Sequence, residues 1–271
     1  MLTVVKMGGD IVGSGTLSPL VVKDIKEALE NQKMILVHGG GDEVTRIAEK
    51  LEVPQTFVTS PEGIRSRYTS RETAVIYAMV MAGMINKGVV AALQKDCINA
   101  VGLSGLDGAL IRAERKRRLV IIDDNNRKRI IEGGYTGKIK SINSTLLSLL
   151  MSEGYLPVVS PIALGDEAEI LNVDGDRAAA YVAGGIKADL LIFLTDVKGV
   201  YLNDVVVKKI DAERVSEILP RMGPGMEKKV LAASEAVKMG VKRAVITSGL
   251  IDNPITSVFS GDIGTEISQI Q

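Results

Sequence analysis

Residues 33–43 read KMILVHGGGDE. Met34, Ile35, Leu36 and Val37 form a short apolar run of the kind a strand covered on both faces requires. Gly39, Gly40 and Gly41 follow at once, and Asp42 and Glu43 then open a helix, where acidic side chains complement the helix dipole. A strand that passes through a glycine turn into a helix aims bare backbone N–H groups beyond the end of the sheet. Glycine lets the backbone come close and adopt positive φ. The product is an anion cradle, usually for phosphate. A tight turn with no ligand is written the same way, so a second such turn has to decide.

That second turn stands at the N-terminus. Residues 2–5 form a buried-type strand that runs into Lys6-Met7-Gly8-Gly9-Asp10. Ser18 is placed as an N-cap and Pro19 as a first helical residue. Leu20, Val21, Ile25, Ala28 and Leu29 give that helix one apolar face. Residues 1–41 therefore read as a βαβ unit with parallel strands and a right-handed crossover. Both glycine turns then fall at one carboxyl edge, where open α/β sheets bind ligands.

The totals bound the function. At 271 residues and 46% hydrophobic content the chain is one large domain or two small ones. Thirty-three acids balance thirty-three bases, which argues against generic attraction to nucleic acid or membrane. One cysteine, Cys97, excludes an internal disulfide and suits a reducing compartment. No signal pattern is visible, and the longest apolar run, residues 74–85, is short of the ~20 residues a membrane span needs. A cytoplasmic protein is expected.

Residues 54–68 read as a loop carrying Gly63, Arg65 and Arg67, and residues 70–95 as a long helix loosened near Gly83 and Gly88. Its Met79, Met81 and Met84 read as core or dimer seam. Residues 119–122 and 128–131 flank the turn cluster Asp123, Asp124, Asn125 and Asn126, which predicts a hairpin. Between Arg112 and Lys140 ten bases face four acids. Such a run is either a solvated hairpin or a docking patch for an acidic partner. Further helices and strands alternate to the end, with no linker or repeat. The whole chain, 1–271, reads as one α/β domain, a three-layer α/β/α sandwich with two lobes.

Several chemistries lack their residues. The segment GGYTGKI, residues 133–139, has one residue too few for a P-loop, and Ile139 stands where magnesium needs a hydroxyl. No G-x-G-x-x-G follows an early strand, residues 172–176 lack a full calcium loop, and His38 is the only histidine. No metal site is read. Phosphoryl transfer remains, because it asks for positioning and charge neutralisation rather than covalent chemistry. Lys6 ends a buried strand beside the cradle, where an unpaired charge would be expensive. Lys229 lies in the first turn of a helix, against the dipole, which suggests an anionic ligand or simple exposure. Asp176 also starts a helix and could hold both lysines.

Five segments in order resemble the amino acid kinase family: Lys6-x-Gly8-Gly9, His38-Gly39-Gly40-Gly41, Asn172-x-x-x-Asp176, Thr195-Asp196-Val197-x-Gly199-Val200 and Gly225-Met226-x-x-Lys229. The similarity covers nearly the whole chain and leans to the acetylglutamate kinase branch. It implies an open, mainly parallel eight-stranded sheet, with residues 1–165 as the amino-acid lobe and 166–271 as the nucleotide lobe. It implies that ATP with Mg2+ phosphorylates a carboxylate. Lys6 and Lys229 would stabilise the transition state and Asp176 would organise them. Gly8, Gly9, Gly40 and Gly41 would offer N–H groups, with Arg67 and Asn172 holding the substrate. Asp196, Val197, Lys198, Gly199, Val200, Tyr201, Arg221, Met222 and Gly223 would bind nucleotide, and a homodimer would form through the 70–95 helix.

The chain departs from acetylglutamate kinases where they carry an acidic D-L-G-x-V-G element; here residues 133–139 stand instead. Its hairpin is also far more basic. Both features resemble the branch acting on 2-aminoadipate or glutamate linked to an acidic amino-group carrier protein. Arg115, Lys116, Arg117 and Arg118 would then dock the carrier, since an acidic partner rewards a broad basic surface. N-acetylglutamate as a free substrate, and a non-catalytic anion-binding protein, stay open. A nucleic-acid module is disfavoured by the 3% aromatic content, which leaves few rings for base stacking.

Overall fold

The computed structural model describes residues 1–123, 125–223, 225–261 and 263–269. Asp124 of the turn cluster and Pro224, in the loop before Met226, lie outside them. Strands Leu2–Met7 and Lys33–His38 pair in parallel with Met7 opposite His38, so the two glycine turns leave the sheet side by side. Side chains alternate between the faces of the strand. Val4 joins one core layer, while Val5 and Met7 join the other. Helices Pro19–Leu29 and Gly41–Lys50, with the long helix, cover the Val5 face. Helices Ser144–Ser152, Gly175–Gly185 and Met226–Lys238 cover the Val4 face, to which Lys6 belongs by parity.

The three-layer, mainly parallel architecture agrees with expectation; the strand count does not. Among the described residues the sheet has eleven strands instead of eight, one of them, Ile170–Asn172, pairing antiparallel with Leu156–Leu164. Its parallel centre runs Arg243–Ser248, Leu190–Thr195, Leu2–Met7, Lys33–His38 and Leu156–Leu164, with Ala100–Gly105 pairing the last. The additions are peripheral. Lys209–Asp211 and Thr265–Ser268 extend one edge, and Ile111–Arg115 and Gly137–Ile142 extend the other. The outermost of these, Lys209–Asp211 and Gly137–Ile142, are edge strands that face water on one side and carry charge, so no apolar run marks them.

Residues 54–68 are a hairpin, not a loop. Thr56–Thr59 pairs with Arg65–Tyr68, and through Arg118–Ile122 joins the expected basic hairpin in a separate four-stranded antiparallel sheet. Phe57 lies opposite Arg67, and its ring is covered by the guanidinium groups of Arg65 and Arg67 at 4.5 and 4.9 Å. That cross-strand stack supplies what the charged sequence RSRY lacks in apolar content.

The long helix runs without a break from Arg71 to Lys95; it loosens into a π-helix over Met79–Ile85, which contains Gly83, whereas Gly88 lies in regular α-helix. The wider winding turns Asn86 inward, where it is fully buried. Met81 is buried, Met84 half-buried and Met79 exposed, so the methionines form no single face. By length and composition alone, with a mean hydropathy of 1.6, this helix could cross a membrane. Its Ile76, Val80, Ile85, Val89 and Leu93 are buried in the core of the domain.

Candidate active site

Three charged side chains meet above the two glycine turns. Asp174 caps helix Gly175–Gly185 by accepting hydrogen bonds from the N–H groups of Asp176 and Arg177, both at 3.0 Å, which fixes Asp176 in the first turn. Lys6 Nζ lies 2.7 Å from Asp176 Oδ1 and Lys229 Nζ 3.4 Å from Oδ2. The side chains of Lys6, Lys229 and Asp176 are 7%, 19% and 8% exposed, so water screens the trio little. Burial pushes the Asp176 carboxyl up, but the ammonium groups of Lys6 and Lys229 outweigh it and hold the carboxyl below its ordinary range. Two cations on one anion leave a surplus positive charge at the site.

The glycines divide into anchors and open donors. Gly8 N–H donates to Leu194 O at 3.0 Å and Gly39 N–H to Met7 O at 2.8 Å. Gly8, expected to face substrate, therefore spends its amide on the neighbouring strand. Among the described residues, the amides of Gly9, Gly40 and Gly41 donate to no backbone carbonyl outside the regular elements. The two turns abut: a Cβ on Gly9 would lie 3.6 Å from Gly40 Cα. Gly40 has φ of 138°, a conformation that excludes other residues.

Arg67 reaches back to this cradle. Its guanidinium donates to Gly41 O and Thr45 Oγ1, both at 2.8 Å, and to Gln55 Oε1. Asn172 Nδ2 donates to Thr69 Oγ1 at 2.9 Å, and Asn172 N–H donates to Tyr135 O at 2.9 Å. Tyr135 N–H donates to Thr69 O at 2.7 Å. Asn172 and the GGYTG segment are thus joined through Thr69, two residues beyond Arg67, whose own side-chain contacts are with Gly41, Thr45 and Gln55. No sequence pattern marks Gln55, Thr45, Thr69 or Phe57, whose partners are set by the hairpin and the segment that follows it.

The basic segment is less uniform than its composition. Arg115 Nε donates to Gly134 O at 2.6 Å and its guanidinium stacks on the Tyr135 ring at 4.0 Å, leaving the side chain 13% exposed. Its contacts are internal. Lys116 is half-buried, and burial and then the nearby Arg177 pull its pKa down. Arg117 and Arg118 are exposed, and Arg117 pairs with Glu167 at 2.5 Å. Lys128 and Arg129 on the next strand are exposed as well.

Beside the trio a cavity of about 320 Å³ is lined by Thr195, Asp196, Val197, Tyr201, Gly223, Gly225, Met226 and Lys229. Four of the nine expected nucleotide residues, Asp196, Val197, Tyr201 and Gly223, are brought there. Lys198, Gly199, Val200, Arg221 and Met222 are not among its lining. Val200 is a core residue whose N–H donates to Thr265 Oγ1 at 2.8 Å, and Met222 packs against the same core. Val200 is fully buried and Met222 half-buried. Among the described residues no three His, Cys, Asp or Glu side chains converge as metal ligands.

His38 is fully buried, and desolvation, aided by the charge of Lys6 against an opposing hydrogen bond to Gly39, lowers its pKa to about 4. It is a neutral imidazole at physiological pH.

The sequence model of the amino acid kinase family matches residues 1–248. The chain belongs to the amino acid kinase family. Membership implies ATP as phosphoryl donor. The chain is 54% identical to a protein of Cenarchaeum symbiosum, over 98% of this chain and 99% of that one. It is 47% identical to the LysW-aminoadipate/LysW-glutamate kinase of Metallosphaera sedula, over 98% of this chain and 100% of that one. Among solved structures, smu.665 of Streptococcus mutans superposes with a TM-score of 0.80 at 24% identity, covering 99% of both chains. A carbamate kinase of Giardia lamblia bound to AMP-PNP superposes with a TM-score of 0.69 at 16% identity, covering 99% of this chain and 98% of that one. These two likenesses concern the fold.

Proposed function

We propose that the protein transfers the γ-phosphoryl group of ATP to the side-chain carboxylate of 2-aminoadipate or glutamate whose amino group is held by an acidic carrier protein. The observation that carries phosphoryl transfer is the buried Lys6–Asp176–Lys229 trio between the glycine turns and the cavity. An acceptor carboxylate oxygen attacks the γ-phosphorus, the bond from that phosphorus to the β,γ-bridging oxygen breaks, and ADP leaves with the bond electrons. Charge is spread over the moving group, and the two ammonium groups answer it without moving. Lys229, which lines the cavity, serves the leaving side, and Lys6, on the first strand, serves the acceptor side. Gly9, Gly40 and Gly41 offer N–H donors, Arg67 and Asn172 hold the acceptor, and Asp196, Val197, Tyr201 and Gly223 hold the nucleotide. Magnesium would enter on the phosphate oxygens of ATP.

The carrier-bound substrate rests on the names of relatives such as the one from M. sedula, on near full-length similarity, and on charge. Exposed Arg117, Arg118, Lys128 and Arg129 suit an acidic partner by complementarity. Residues 1–165, joined by Asn172 from the second lobe, then handle the acceptor, and the remainder of 166–271 handles the nucleotide. Val75 and Met79, both about half exposed on the long helix, suit a seam with a second copy. ADP release is the test, with carrier-linked aminoadipate, carrier-linked glutamate and free N-acetylglutamate as acceptors. Turnover should require the carrier. Equal turnover of free N-acetylglutamate would replace this reading by an N-acetylglutamate kinase.

A further inference from the structure

The buried histidine sits in a hydrogen-bond chain whose direction is fixed from end to end. Asn86 Nδ2 lies 2.9 Å from Val158 O and 3.2 Å from His38 Nε2. A carbonyl oxygen only accepts, so the atom of Asn86 facing Val158 is the amide nitrogen. That nitrogen has no lone pair to offer, so His38 Nε2 must accept. The proton of the neutral ring is therefore on Nδ1, which lies 2.9 Å from Gly39 O and donates to it. Asn86 is fully buried, its Oδ1 accepts from Lys87 Nζ at 3.3 Å, and that oxygen occupies the space a Cβ on Gly102 would need.

Gly39 O belongs to the peptide that joins Gly39 to Gly40. In a trans peptide the N–H points opposite to the C=O. Holding the Gly39 carbonyl toward the buried ring therefore turns the Gly40 N–H away from it. No Cβ restrains φ or ψ at Gly39 or Gly40, so something else has to fix that plane. The other wall is supplied by the same helix: a Cβ on Gly40 would collide with Ile85 Cδ1, the residue just before Asn86. The π-wound turn ending at Ile85 is what brings both residues to the cradle.

We propose that His38, held in its Nδ1–H tautomer by Asn86, is a positioning residue that aims the Gly40 amide at the transferring phosphoryl group. It touches no substrate and exchanges no proton; it acts through the peptide plane. This rests on the phosphoryl-transfer reading of the site. It also makes the long helix a structural support of the cradle, so a shift of that helix would be felt at Gly40.

The single histidine makes the test direct. Selective 15N-histidine labelling of the untagged full chain yields one imidazole signal set. Expected at pH 7 is a protonated Nδ1 and a bare Nε2, with the Nδ1–H resonance shifting when Mg-ADP and aluminium fluoride are added as a phosphoryl mimic. An Nε2–H tautomer, an imidazolium, or no shift on saturation with the mimic overturns the proposal. Variants supply the kinetic arm. His38→Asn keeps a donor near the Nδ1 position and should hold kcat within about threefold. His38→Gln keeps only the Nε2 side and should lose kcat about ten- to hundredfold with KM for ATP little changed, a misaimed donor being a milder form of a lost one. Equal kcat in the two variants, after correction for folded fraction, overturns the proposal. Absence of turnover by the wild-type protein with every acceptor would instead refute the proposed reaction, while the mimic-dependent shift would still decide the role of His38.

Discussion

Replacing Asp176 by Asn separates the electrostatic role of the trio from its mere presence. The carboxylate lies 2.7 Å from one ammonium and 3.4 Å from the other. At an effective dielectric constant of about 20 these contacts are worth about 6 and about 5 kcal/mol before desolvation. Desolvating three charges and the repulsion between the two lysines remove much of that. Breaking a buried pair by deleting one partner costs about 3–5 kcal/mol net. For a chain of this size, each kcal/mol moves the unfolding midpoint by about 2–4 °C, so Asp176→Asn should lower Tm by roughly 10 °C. Turnover should fall at least about a hundredfold, because both donors lose the group that holds them.

The second half of the experiment assigns the cause. Adding Lys229→Met to Asp176→Asn removes one of the two unpaired ammonium groups. Part of the lost Tm should return, while turnover should not. ATP should also raise Tm more in the single variant than in the wild type, since its phosphates supply the missing anion. Thermal unfolding with and without nucleotide, alongside ADP release, reads all of these outcomes. An Asp176→Asn protein with unchanged Tm, or with wild-type kcat, would remove the basis for treating the trio as one electrostatic unit.

Two further outcomes follow from named groups. His38 has a folded pKa of about 4 against an ordinary 6.5, so the unfolded chain takes up this proton first as pH falls. Stability is full above about pH 6.5 and declines toward pH 4; by pH 5 the loss is about 2 kcal/mol. Urea unfolding at pH 8 and pH 5 should show this loss in the wild type and not in His38→Asn. Asp176, whose pKa is held down, contributes its own loss only below about pH 4, outside that window. Charge reversal of the exposed Arg117 and Arg118 should raise KM for carrier-linked substrate about tenfold at low salt and leave kcat and Tm nearly unchanged. A rise in KM that persists undiminished in high salt would argue against electrostatic docking.

The sequence carries the centre of this molecule better than its edges. The parallel core strands announce themselves as apolar runs, and Lys6, Asp176 and Lys229 were found because charge at a strand end or helix start needs a reason. The short flanking strands and the hairpin of Thr56–Thr59 with Arg65–Tyr68 were not, since cross-strand stacking on Phe57 replaces the apolar pattern there. The partners of Arg67 depend on that hairpin, so the sequence does not display them. Arg115 looked like a surface cation because composition does not reveal that Gly134 and Tyr135 enclose it. Gly8 and Val200 lie within the family pattern, but their amides are spent on Leu194 and on Thr265. A motif fixes a backbone path; it does not say which amides along the path remain open to a ligand.

That distinction bears on how the site handles charge. Two lysines sharing one carboxylate leave the trio one positive charge in excess, in surroundings where water compensates poorly. The cradle adds backbone donors and the start of helix Gly41–Lys50, again of positive sign. Asp176 is thus the minimum counter-charge that keeps both lysines folded inward while leaving an anion in demand. A second buried carboxylate would stabilise the resting protein and lower the attraction for phosphate. Removing Asp176 would strengthen that attraction on paper and cost the geometry that uses it. The arrangement therefore sits between two failures, and preorganisation for a moving phosphoryl group follows from the charge left over.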